Sequence, residues 1–498
     1  MKGINFDHII NKEQINLKLF SVVLAIFFAV LSGYLINRGS YIFLGILMFP
    51  IFLIFSSFLI NPNYLVYLLV ISIPFFSFQL FTLNKLIESM GSVPIHSSHI
   101  LSVILIFIIA IRMMPKIRET KVGAIGKAIL IILIVYLISI IGVFQAYHNF
   151  IEYFKSIANI LFFAMLYFAF TNSVTRQETI IKIFKIWVIV SLLVALYAFY
   201  QLLGYFISSL PLIPGTEIIE YGGIPRVSSI WKEPVPFVAY LAYPIVFMFV
   251  MLAGKQMFPF KTLKVNVIIL SILITSFILA FTITGFLYLL IFILLFSSSQ
   301  IAFSKGILQK LWLPVSIVSA FLIVSVSTDF GRMFQSRIFS ALTLTDDSTM
   351  ARLQTDSIAW QEFLKHPLFG IGAGNFPSFT AVGLFPDAVH YEIYHADTLF
   401  FNIMAEMGIV GVIAILLFFG TLLVSLRKVI RLNKFKDLNF YISRGLYFMI
   451  LTYMFSNLIV SGWLEFWAWF NFSIIGTWVL LESRRLREIQ TNNRRKSI

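Results

Sequence analysis

The chain of 498 residues is 59% hydrophobic and only 12% charged, whereas globular domains average about 45–50% apolar and about 25% charged. A water-soluble enzyme, a disordered chain and a soluble repeat array are excluded, because none of them can hide so much apolar surface. The 37 Lys and Arg outnumber 22 Asp and Glu for a net charge of +15, and in so apolar a chain that excess reports membrane orientation sooner than nucleic-acid binding. Cysteine is absent, which removes disulfides, thiolate metal sites and cysteine nucleophiles.

Apolar residues arrive in blocks of about 18–22, the length that crosses ~30 Å of hydrocarbon as a helix. The basic start MKGINFDHIINKEQINLK runs into the first block without a small-residue cleavage site, so it reads as a retained span and not as a signal peptide. About fourteen spans are predicted, beginning near Leu17, Tyr41, Asn63, His99, Ala128, Ser156, Phe184, Val235, Val265, Gly285, Leu311, Gly408, Gly445 and Glu465. The fold class is therefore an all-α polytopic membrane protein. Residues 1–327 hold the first eleven spans, 328–397 a large outer loop, 398–481 the last three spans and 482–498 a basic cytoplasmic tail. The thinnest divisions are at Ile283 and Thr284, and around Trp463.

Summing charge over alternate loops tests this layout. The N-terminus, Arg112–Lys127, Arg176–Lys185, Lys255–Lys264, Lys305–Lys310, Arg427–Arg444 and the tail from Glu482 carry 28 basic and seven acidic residues; the remainder carries nine and fifteen. By the positive-inside rule the basic set, with both termini, is cytoplasmic. A missed or extra span would scramble the alternation.

Two outer loops are long: about Ser208 to Pro234, and about Thr328 to Asp397. Loops beyond ~12–15 residues are usually functional or disordered. Within the larger, Met350–Leu364 sets Leu353, Ile358 or Trp360, and Phe363–Leu364 near one face of a predicted amphipathic helix, which Pro367 and the glycines of GIGAG then break. GIGAGN is no dinucleotide loop, since it lacks the third glycine and follows a helix. Asp346–Asp347 is a candidate metal pair, but in a Ser/Thr-rich stretch it reads more readily as turn chemistry.

The outer side is acidic, so its cations stand out. Arg226 directly precedes a span and suits bidentate contact with phosphate; a snorkelling arginine or a partner for Glu233 is the plainer reading. Arg352, with Arg332 and Arg337 ahead of it, suits an anion site or a solvated helix surface. His395 stands where the large loop returns to the membrane, in a segment that continues through Asn402 and Glu406. Histidine is the usual general base near neutral pH, and ionisable groups at the hydrocarbon edge default to function; a solvated surface residue is the plainer reading of a lone loop histidine.

HPLFGIGAGNF (His366–Phe376) followed by HADTLFFNIMAEMGIVG (His395–Gly411) resembles the O-antigen ligase and polymerase superfamily. Its second pattern, a histidine leading into a helix with spaced Leu, Glu and two Gly, reads here as His395, Leu399, Glu406, Gly408 and Gly411. The superfamily's upstream arginine before a Gly/Ser-rich turn and a proline is similar to Arg226 through Pro234, and its arginine ahead of a helical tryptophan to Arg352 with Trp360. Glu233-Pro234 departs from the Asn-Pro or Pro-Asn of ligases and looks closer to polymerase-type members.

The resemblance implies a metal-independent membrane glycosyltransferase without cofactor, acting at the outer face of the cytoplasmic membrane. Its donor is a polyprenyl-diphosphate-linked glycan and its acceptor a glycan or a lipid-linked acceptor, with other polysaccharide-assembly proteins as further partners and no nucleic acid. Arg226 and Arg352 then hold the diphosphate, His395 is the base, and Glu406 either orients the site or simply pairs with a nearby cation. Glu465, in the outer turn WLEFWAW with Trp463, binds sugar, or else the tryptophans form an interfacial belt. Ligation to a lipid, protein O-oligosaccharyl transfer, a flippase of lipid-linked glycan and a structural assembly protein stand as alternatives.

Overall fold

The computed structural model describes residues 62–74, 79–82, 94–113, 122–147, 149–207, 210, 212, 218–221, 224–231, 233–297, 339, 343, 347–376, 398–433, 435–458 and 464–496. Within them the chain is almost wholly helical. In order come α1 (Pro62–Ser72), β1 (Gln79–Thr82), β2 (Pro94–His96), α2 (Ser97–Met113), α3 (Ala124–Ile138), α4 (Phe150–Ser173), α5 (Gln177–Phe206), β3 (Ile219–Tyr221), β4 (Ile224–Arg226), α6 (Pro234–Ala253), α7 (Leu263–Leu279), α8 (Ile283–Ser297), α9 (Asp347–Lys365), α10 (Leu399–Leu432), α11 (Leu438–Ser456) and α12 (Phe466–Lys496). After α3 the chain continues through Ile140–Gly142 and a π-helical turn, Val143–Tyr147. The two strand pairs are antiparallel hairpins.

Five helices are long and apolar enough to cross a membrane: Ala124–Ala146, Phe150–Ser173, Gln177–Phe206, Pro234–Ala253 and Leu399–Leu432. Shorter apolar helices accompany them. The segments expected near Asn63, His99, Ala128, Ser156, Phe184, Val235, Val265, Gly285, Gly408, Gly445 and Glu465 all meet helices; those near Leu17, Tyr41 and Leu311 lie outside the described residues. The slender division at Ile283 is a true break, with Ala280–Thr282 non-helical between α7 and α8. The span expected from Gly408 starts earlier, at Leu399. Gly408 is instead a kink inside it, at φ 62° and ψ −158°, a backbone that disfavours any side chain.

α6 is the centre of the bundle, with 83% of its apolar window buried against 44% for α10. Lipid is as apolar as leucine, so helix association rests on close packing more than on hydrophobic driving force. Aromatic rings supply much of it: Phe184 stacks on Phe247 at 5.1 Å, and Phe163 on Trp469 at 5.6 Å, each pair contributing about 0.5–1.5 kcal/mol beyond area.

Among the described residues, loops of the basic set gather at one end of the bundle. Glu482 of α12 is fully buried and accepts from Gln177, from Asn433 and Asn439 at 3.3 and 3.1 Å, and from Arg485. Arg485 also pairs with Asp437 at 2.9 Å. Burial pushes the Asp437 carboxyl up, but hydrogen bonds from Asn433 and the Phe440 N–H, with the Arg485 charge, outweigh it and hold the group below its usual range. Lys185 lies over Phe258 at 5.9 Å, and a side chain at Gly254 would strike Tyr441. Contacts of the acidic loops, described next, lie at the other helix ends.

Candidate functional site

The site grows from the hairpin that ends in Arg226. Ile219 faces Arg226 across β3 and β4, and the strands lead into a buried turn at Ser228 and Ser229. Gln201 of α5 holds that turn, its side-chain oxygen accepting from the Ser228 and Ser229 N–H groups at 3.0 and 2.9 Å. The Ser229 hydroxyl donates to the Val194 carbonyl at 2.7 Å. Trp231 packs against Phe237 and Tyr240 of α6. Arg226, so braced, donates from Nε to the Ala280 carbonyl at 3.5 Å, just ahead of α8. Glu233 is exposed and sits at the α6 N-cap without a capping hydrogen bond, Pro234 following at the first helical position.

Arg352 reaches the same end from the cap. α9 forms as expected, but its apolar residues divide between faces, with Ile358 packing half-buried beside Ile371, Phe376 and Ala405. Thr355, Ala359 and Glu362 are its buried residues, whereas Leu353, Trp360 and Leu364 are exposed at 44%, 42% and 60%. An apolar stripe marks a face and does not say what covers it. The helix is pinned by Asp356, which accepts from the Thr398 hydroxyl at 3.2 Å and from its N–H at 3.4 Å. Thr398 is the N-cap of α10. Arg352, one turn before Asp356, brings its charge within electrostatic reach of the Tyr288 hydroxyl on α8.

Tyr288 borders a small void of about 10 Å³ that sequence reading missed, room for about one water. Its walls are Tyr243, Ala239 and Ala242 from α6, Tyr288 from α8, Thr452, Tyr453 and Ser456 from α11, and Trp467 from α12. Tyr243 and Trp467 lie 5.3 Å apart, and Tyr243 and Tyr453 6.0 Å. Tyr288 and Ser456 share a hydrogen bond. Among the described residues, the Thr452 Oγ1 and Trp467 Nε1 atoms are buried without a hydrogen-bond partner, a cost that native proteins rarely carry without reason. The ring closes through Asn457, tied by its side chain to Tyr453 and by its carbonyl to the Leu399 N–H at 3.0 Å. Three tyrosines within separate spans were the available signal.

Glu465, immediately before α12, lies within electrostatic reach of Tyr453. Burial pushes its carboxyl from an ordinary 4.5 up to about 7. Arg226, Arg352 and Glu465 thus stand around the same ends of α6, α8, α11 and α12. Trp463 and His395 lie outside the described residues, as do Arg332, Arg337 and Asp346.

Glu406 faces elsewhere. It is 5% exposed, and its carboxylate accepts from the Gly374 and Phe376 N–H groups of the GIGAGNF segment. That segment also pairs with α10 through Ile371 N–H to Ala405 O and Gly372 N–H to Glu406 O, both 2.9 Å, and Ile409 N–H to Pro367 O at 2.9 Å. Gly370, Gly372 and Gly374 all have φ between 65° and 95°. A side chain at Gly142 would strike the Gly370 carbonyl, and the Ser139 hydroxyl accepts from the Ala373 N–H at 3.2 Å. The glycine-rich segment is a backbone clasp joining α3, α4 and the kinked start of α10.

Compared with known proteins, residues 267–416 match the O-antigen ligase family, which bears out the resemblance to the O-antigen ligase and polymerase superfamily. The match takes in Arg352, the clasp and Glu406, and stops short of Arg226 and Glu465 on either side. The family is one of membrane glycan ligases and polymerases. No curated protein matches the chain.

Proposed function

We propose that this chain is a membrane glycosyltransferase that moves a glycan from polyprenyl diphosphate to an acceptor sugar at the outer face of the cytoplasmic membrane, polymerising a surface polysaccharide. The observation that carries this reading is the approach of Arg226 and Arg352, from separate loops, to one rim of the bundle: Arg226 bonds the Ala280 carbonyl just ahead of α8, and Arg352 lies within electrostatic reach of Tyr288 on that helix. Two guanidiniums suit a diphosphate, because each stays charged and offers a planar fork of donors. The +21 against −6 charge split supports assigning that rim to the outside.

His395 is three residues ahead of Thr398, which Asp356 ties to the helix bearing Arg352. His395 takes the proton of the acceptor hydroxyl, whose oxygen attacks the anomeric carbon in line. The bond from that carbon to the diphosphate oxygen breaks, and polyprenyl diphosphate leaves with the electron pair, its charge stabilised by Arg226 and Arg352. Glu465 and Trp463 engage the sugar. Glu406 acts at one remove: its carboxylate sets the clasp, and the clasp sets the start of α10. Glu233-Pro234 favours polymerase over ligase.

The test is reconstitution. Purified protein, polyprenyl-diphosphate oligosaccharide and acceptor should yield a new glycosidic bond and free polyprenyl diphosphate without nucleotide. His395→Ala should cost about 10²–10⁴-fold in rate with donor binding kept. Movement of lipid between leaflets with no new linkage, or wild-type rate in the variant, overturns the reading.

A further inference from the structure

At the basic end of the bundle, α10 finishes with a feature the proposed reaction does not use. Val424, Arg427, Lys428 and Arg431 follow one another at i, i+3, i+4 and i+7, a single stripe along the helix. With Leu432 they enclose an open surface recess of about 370 Å³. Arg427 is steadied over the Tyr447 ring, its guanidinium carbon 5.5 Å from the centroid. Among the described residues, no acidic side chain pairs with Arg427, Lys428 or Arg431. Such a cluster repels itself unless an anion joins it.

The same stripe continues towards the middle of the bundle as exposed hydrocarbon. Ile413, Leu416, Leu417 and Val424 are each about half exposed or more, between 48% and 66%. Among them Gly420 leaves open space, with nothing within 4 Å of where a side chain would begin. From Ile413 to Val424 the track runs about 16 Å at the helical rise, close to the ~15 Å that one leaflet contributes to the hydrocarbon core. Arg427, Lys428 and Arg431 follow at the end of that track.

We propose that this face binds an anionic phospholipid, its phosphate held by Arg427, Lys428 and Arg431 and one acyl chain lying along Ile413–Val424 in the space at Gly420. The recess is open and its floor is Val424 and Leu432, so the ligand carries hydrocarbon as well as charge. A soluble phosphate would share the cations and ignore the track.

The experiment uses the full-length protein in nanodiscs of phosphatidylcholine doped with phosphatidylglycerol, with retained lipid counted by native mass spectrometry. Phosphatidylglycerol should be retained over phosphatidylcholine. The triple variant Arg427→Gln, Lys428→Gln, Arg431→Gln should weaken it on the order of 100-fold, at roughly one tenfold step or less per cation. Lys261→Gln with Lys264→Gln, which removes exposed charge from another basic loop, should leave retention unchanged. Gly420→Trp keeps every charge and fills the track, so it should lose the lipid too. Inorganic pyrophosphate in excess should displace little. Equal retention of both lipids, an unaffected triple variant, an unaffected Gly420→Trp, or efficient displacement by pyrophosphate would each overturn the assignment, the last by showing a soluble-anion site.

Discussion

Glu406 separates a catalytic carboxylate from an organising one. Its side chain accepts two backbone N–H groups, those of Gly374 and Phe376, in a setting 5% exposed. Glu406→Ala leaves the buried Phe376 donor and the half-buried Gly374 donor unpaired, at about 1–3 kcal/mol each. The clasp should therefore open more easily by about 2–6 kcal/mol, and even the lower bound is about 30-fold in an opening equilibrium. Hydrogen exchange of the Gly374 and Phe376 amides in the detergent-solubilised protein reads this directly, since local opening sets their protection. Glu406→Gln retains one acceptor oxygen, so its loss of protection should be smaller. Glycan transfer should fall in the same order, Ala below Gln below wild type. Wild-type protection in Glu406→Ala would refute the clasp; equal loss of transfer in Gln and Ala with protection intact in both would make Glu406 a proton-transfer group.

Arg226→Lys and Arg352→Lys should lose nearly as much transfer as the alanine variants at normal expression, because lysine is a point charge without the planar fork; full activity in either would reduce that arginine to an interfacial anchor. Glu465, raised from 4.5 to about 7, binds its proton more tightly in the folded chain. Its contribution to stability is complete below pH ~4.5 and is lost as pH rises through about 7, so thermal unfolding should ease over that window and flatten there in Glu465→Gln. Accessibility reporters at Thr380 and at Phe435, which is 65% exposed, should label from opposite sides of the membrane; labelling from one side would break the alternating layout.

Much of the helical framework was legible in the chain alone, because a helix in lipid must satisfy its own backbone and hide its polar groups. That constraint writes long apolar blocks into the sequence, and among the described residues Glu482 binds Gln177, Asn433 and Asn439, drawing three of the basic segments together. Arg226 and Arg352 also announced themselves, as cations on an acidic side. Only the tertiary structure decided what they face. Tyr243, Tyr288, Tyr453 and Trp467 come from four helices, and no local periodicity encodes which spans become neighbours. The cap helix makes the same point from the other direction: Leu353, Trp360 and Leu364 do share a face, yet that face is the exposed one, since a periodic pattern fixes angle about the axis but not what lies opposite. Gly408 looked like the start of a span and is a kink instead, because the clasp from Pro367 to Phe376 occupies the room a side chain would need there. Sequence dictated the elements, through the solvent each must meet; the packing of distant segments dictated the site.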